Sequence, residues 1–105
     1  MTQTPFQIIG PEAEAKLDWL KLGAALEAGH MLPRAEISDS FLYRGKDTLL
    51  NRAAWIDGLG LLVKSATIFP ENAAQNLPAV NGGAALYSDK NGLLEALVDF
   101  HLLTK

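Results

Sequence analysis

The chain has 105 residues, 49% of them apolar, no cysteine and a formal net charge of −3. That length suits a single domain. It excludes a disulfide framework or thiolate metal site, and two histidines, His30 and His101, are too few for a convincing imidazole site. Scattered acidic residues without a basic patch argue against nucleic acid as a partner.

The opening MTQTPFQIIG lacks the basic region and long apolar run of a secretion signal, and no apolar stretch is long enough to span a bilayer. A cytoplasmic protein is the default expectation. The apolar content is enough for a core, although a chain this small gains from an oligomeric partner.

Phe6 to Ile9 is a short apolar run stopped by Gly10-Pro11 and reads as an edge or first strand. Pro11-Glu12 then opens a short helix, with proline at the first helical position and acids in the first turn. Asp18 is a cap for the segment WLKLGAALEAG, whose Trp19, Leu22, Ala25 and Leu26 fall on one face and whose Gly29 reads as the C-cap. The Trp19/Leu22/Leu26 stripe is expected to be core, with both helices covering one side of a sheet. Pro33 breaks the helix, Glu36 to Tyr43 alternates as a half-exposed strand does, and Arg44-Gly45-Lys46-Asp47 is a polar turn.

The stretch Thr48 to Pro70 reads as a hairpin, with Asp57-Gly58 as the turn. Its second run carries one cation, Lys64, among Leu61, Leu62, Val63, Ala66 and Ile68. Lysine is rarely buried, so either its ammonium snorkels off a sheet edge or it meets an anion from outside the chain. If the hairpin loop is even-numbered, parity puts Arg52 on the face opposite Lys64, with Asn51, Ala53 and Trp55 on the Lys64 side.

A loop bounded by Pro70 and Pro78 follows, in which Asn72 and Asn76 read as turn-formers. Ala79 to Ser88 is a strand, and Gly82-Gly83 within it marks a bulge or a close approach by ligand or backbone. Ser88 to Gly92 is a hairpin turn, Leu93 to Val98 pairs back, and Asp99 caps a last, very short helix. The closing residues carry no C-cap or polar tail and read as an element cut short. The predicted class is α+β, with two N-terminal helices packed on a curved, mostly antiparallel sheet.

The motif RAAWIDGLGLLVKSATIFPENAAQNLP, followed by VNGGAALYSDKNGLLEALVD and LLTK, resembles the N-terminal half of the ornithine cyclodeaminase/mu-crystallin family. It is nearest to bacterial cyclic ketimine, or Δ1-pyrroline-2-carboxylate, reductases, and covers roughly the last two-thirds of the chain. The resemblance implies an NAD(P)-dependent, two-domain oxidoreductase acting on cyclic imino acids or amino acids. Residues 1–105 would then be the N-terminal substrate-binding and dimerisation portion, with the Rossmann domain absent and the fragment alone inactive. No G-x-G-x-x-G opens a helix, since Gly58 and Gly60 sit in the hairpin turn. The family's R-T-A arginine would lie just past Lys105, in a protein about three times longer.

Lys64 matches the family lysine that contacts the substrate carboxylate and can tune protonation of a nearby imine. Arg34 could match an arginine that other members place before their first long strand, where it would fork onto a carboxylate, although a loop arginine is as good a reading. Asn81 falls where members line the pocket with polar groups, and Arg52 is a rival to Arg34, structural on the parity count. Ala79 replaces a threonine of some members, which weakens the case for ornithine itself. The expected ligands are a small imino or amino acid and, in the complete protein, NAD(P), with a homodimer as the assembly. The rival reading is a stand-alone, non-enzymatic dimeric binding or structural domain.

Overall fold

The computed structural model describes residues 6–103. Six strands form one sheet in the order β1-β6-β5-β4-β3-β2. In chain order they are β1 (Gln7–Ile9), β2 (Glu36–Arg44), β3 (Asp47–Ile56), β4 (Gly60–Ile68), β5 (Val80–Tyr87) and β6 (Leu94–Asp99). Neighbours β2 to β6 pair antiparallel, while β1 lies parallel along β6 as an edge strand. Two α-helices, α1 (Trp19–Gly29) and α2 (Phe100–Leu103), and two 3-10 helices, Pro11–Lys16 and Pro70–Gln75, complete the fold.

Local chemistry accounts for the boundaries. Asp18 Oδ1 accepts the Leu20 and Lys21 amides, at 3.1 and 3.2 Å, and starts α1. Gly29 is not the C-cap: the helix runs through it, and His30, still right-handed at φ −70°, closes the end by donating to Leu26 and Ala28 carbonyls. In the 88–92 turn, Ser88 Oγ and Asn91 Oδ1 accept the Lys90 and Leu93 amides, and Gly92 takes φ +73°. Asn72 and Asn76 are turn-formers as read: Asn76 is left-handed at φ 59°, and Asn72 donates to the Pro78 carbonyl. Asp99 Oδ2 accepts the Leu102 amide and caps α2. Thr104 and Lys105, the end of the LLTK motif, lie outside the described residues.

Gly82 answers which of the two readings of the paired glycines holds. A Cβ there would collide with the Ser65 carbonyl oxygen and come within 3.1 Å of Phe100 Cδ2, so the residue marks close approach of β4 and α2. A Cβ on Gly83 would meet only the Val98 carbonyl oxygen at 3.5 Å, an ordinary contact.

The helices do not form the expected layer. The first is a 3-10 helix, which touches α2; α2 in turn packs on β5 and β6. Helix α1 stands exposed, with Leu20, Leu22 and Leu26 at 88%, 37% and 61% of full accessibility, so Leu22 and Leu26 are not core. Trp19's side chain lies outside the described residues. Among the described residues the buried hydrophobics are three alanines, Ala66, Ala84 and Ala96. The accessible surface is 8294 Å², against roughly 5700 Å² for a compact chain of this mass. The radius of gyration, 15.8 Å, likewise exceeds the ~13 Å of a packed domain of this length. Among the described residues, then, much of the apolar content expected to form a core is exposed on the sheet and on α1.

Candidate functional site

Lys64 sits in the middle of β4, a strand with a neighbour on each side, and its side chain is half-buried. A lysine snorkelling off a sheet edge is thereby excluded, because the sheet's edges are β1 and β2. Directly opposed residues of an antiparallel pair project from the same face. Following the register from β2 to β1, one row crosses the sheet on the Lys64 face: Asp39, Arg52, Lys64, Ala84, Val98, Ile9. The three buried alanines belong to this face too, and α2 packs on it at β5 and β6, with Phe100 against Gly82. Lys64 thus stands where the covered part of the face meets the open part.

Arg52 shares this face, which corrects the parity expectation. The turn places three residues, Asp57, Gly58 and Leu59, between the pair Ile56 and Gly60, so the loop is odd-numbered and Arg52 falls opposite Lys64. Asn51, Ala53 and Trp55 take the other face, where Ser65 Oγ donates to Asn51 Oδ1 at 2.7 Å. Arg52 itself is committed to Asp39: Nε donates to Oδ1 at 2.7 Å and a terminal amine donates to Oδ2 at 2.8 Å. These hydrogen bonds hold the Asp39 carboxyl below the usual carboxylate range, against a smaller opposing effect of partial burial, with the charges of Arg52 and then Lys64 adding to the lowering. Asp39 also keeps the Arg52 guanidinium more firmly protonated. Lys64 forms no salt bridge among the described residues.

The other two candidates stand apart from this row. Asn81 is three residues from Ala84 on β5, hence on the opposite face, and its amide donates back to the Pro78 carbonyl oxygen at 3.0 Å. Arg34 precedes β2 and lines a cleft of about 410 Å³ with Pro33, Glu36, Trp55 and Asp57, at the hairpin end of the sheet. The Lys64 row crosses β2 at Asp39, five residues further along.

Two contributors were not legible as site residues. Asp39 carries no local signal, because its partner is 13 positions away and the pair follows from register alone. Asp89, read as part of a turn, accepts Trp55 Nε1 at 2.7 Å and the Gly58 amide at 2.9 Å, and so ties the β3–β4 turn to the β5–β6 turn.

A dinucleotide does not fit the described residues. Its pyrophosphate needs a glycine-rich turn between a strand and a helix N-terminus. Here Gly58 lies in a hairpin turn, Gly60 opens β4, Gly82 and Gly83 lie within β5, and the adjacent strands are joined antiparallel.

This open sheet with its short helices defines a class first. Among solved structures it matches an archaeal alanine dehydrogenase dimer with bound NAD, with a TM-score of 0.77 at 23% identity, over 94% of this chain and 32% of that one. Thermococcus litoralis Delta(1)-pyrroline-2-carboxylate reductase in complex with NADH and L-proline gives 0.77 at 19% identity, over 94% and 33%. A lysine cyclodeaminase gives 0.60 at 21%, over 96% and 34%. These likenesses establish the fold as an α+β module found in dehydrogenase-like enzymes.

In sequence, the chain is 42% identical over 94 residues to the Delta(1)-pyrroline-2-carboxylate reductase of Paracoccus denitrificans (strain Pd 1222), covering 90% of this chain and 30% of that protein. The resemblance read from the sequence thus has counterparts in a Δ1-pyrroline-2-carboxylate reductase, by sequence and fold, and in a lysine cyclodeaminase, by fold. No family model matches the chain. The chain spans about a third of the length of these relatives.

Proposed function

We propose that the chain is the N-terminal substrate-binding and dimerisation portion of an NAD(P)-dependent oxidoreductase that reduces the C=N bond of a cyclic imino acid, or acts on the corresponding amino acid. The observation that carries this reading is the 42% identity to a Δ1-pyrroline-2-carboxylate reductase over nine-tenths of the chain. Lys64 supports it chemically: a half-buried ammonium with no ion pair among the described residues, at the step between covered and open sheet, is a partner for a small carboxylate. Arg34, in its own cleft at the hairpin end of the sheet, is a second cation for a carboxylate, apart from the Lys64 row.

The nicotinamide cofactor belongs to a part of the protein outside this chain, because the described residues do not fit it. The 105 residues alone are therefore inactive: without a second reactant held against the imine carbon, no near-attack geometry exists. The test is an assay of the complete reading frame with NADH or NADPH and Δ1-pyrroline-2-carboxylate, beside the 105-residue chain. Turnover by the complete protein and none by the chain is expected. A stop codon after Lys105, or a complete protein with no reductase or cyclodeaminase activity, would overturn the reading in favour of a binding module.

A further inference from the structure

On the Lys64 face the sheet sets two cations directly opposite one another, Arg52 on β3 and Lys64 on β4. Cβ atoms so placed lie roughly 5 Å apart, and like charges there repel. The relief comes from β2: Asp39, opposite Arg52 on its other side, accepts one N–H on each carboxylate oxygen. A planar fork engaged at both teeth has a fixed direction, so Arg52 is drawn toward β2 and its charge is matched. Lys64 has no such partner among the described residues, and its neighbour on the far side, Ala84, offers a methyl group.

We propose that Asp39 is a positioning residue: by occupying the Arg52 fork it leaves Lys64 as the one cation of the row without an ion pair among the described residues, so that a small acid's carboxylate meets Lys64 and is not diverted onto Arg52. The inference rests on the reading of Lys64 as the carboxylate contact and adds that the adjacent guanidinium is held out of use. It also gives Arg52 a role distinct from substrate binding.

The experiment measures kcat and KM for a cyclic imino acid in the complete protein carrying Asp39→Asn, Asp39→Glu, or Asp39→Asn with Arg52→Met. An amide cannot match the guanidinium charge, so in Asp39→Asn the substrate carboxylate gains a second cation: KM falls by roughly five- to tenfold. The value of kcat falls with it, because the bound acid is drawn away from the position Lys64 gives it. Removing the second cation in the double variant returns both constants toward the parent, and Asp39→Glu keeps them. If the pair only fastens β2 to β3, the double variant is at least as impaired as the single one and KM does not fall, which overturns the proposal; so do parental constants in Asp39→Asn. Lys64→Met separates the two levels. Lost turnover there with a silent Asp39→Asn sinks this proposal alone, whereas unchanged turnover in Lys64→Met sinks the reading beneath it.

Discussion

At the scale of single residues, the account turns on how register distributes charge. Asp39, Arg52 and Lys64 are far apart in the chain; the β2–β3 register sets Asp39 beside Arg52, and Lys64 joins them because the turn between Ile56 and Gly60 holds an odd number of residues. The position of Lys64 in an apolar strand was visible beforehand; its companions were not, because a one-residue change in the loop exchanges the faces. The Asp39–Arg52 pair has a pH consequence. Since the folded carboxyl titrates below its ordinary value, the unfolded chain takes up that proton first as pH falls. The pair's contribution is thus fully present above the ordinary aspartate value of about 4 and is lost as pH drops through the lower folded value. The stability difference between the protein and Asp39→Asn, read from urea midpoints, should be constant from neutral pH down to about pH 5 and shrink below about pH 4. It should be small throughout and smaller in salt, since both groups are solvent-exposed. A gap that widens in acid would contradict the assignment.

At the scale of elements, strand existence and turns were legible, because each rests on chemistry within a few residues. Asp57-Gly58, the Ser88–Gly92 turn and the Asp18 cap all formed where the sequence places them. Helix placement was not legible. A stripe such as Leu22/Leu26 records that a face is apolar, not what covers it, and in this chain α1 stays exposed. The paired glycines show the same division: sequence marks a close approach, and only the structure says that Gly82 makes it and Gly83 does not. Gly82→Ala should therefore cost about 1–3 kcal/mol, since β4 backbone and Phe100 must shift to admit a methyl group. Gly83→Ala should stay within about 0.5 kcal/mol of the parent. Chemical unfolding of both variants checks this, and equal losses would mean that the close approach is not what selects glycine.

At the scale of the molecule, the dominant fact is exposed apolar surface. An excess of roughly 2500 Å² over a compact chain of this mass is the size of a substantial protein interface. The exposed residues include Ile37, Phe41, Leu42 and Tyr43 on the edge strand β2, where Phe41 and Tyr43 stack at 6.1 Å. Such an edge invites pairing unless something occupies it. The complete protein should therefore sediment with the mass of two chains, and a single-chain mass across micromolar concentrations would contradict the homodimer. Cover also decides what Lys64 can do, because an ammonium gains strength as an anion partner only when water is excluded around it.

The most direct test of the central claim is the steady-state turnover of Δ1-pyrroline-2-carboxylate by the complete protein with Lys64 replaced by methionine, which keeps length and packing but removes the charge. The account predicts a fall in kcat/KM of about a hundredfold or more, the loss of one charge-assisted contact to a carboxylate in a water-excluded site. The same substitution should change turnover of an analogue without the carboxylate far less. Equal turnover of the carboxylated substrate by Lys64→Met and the parent would contradict the account.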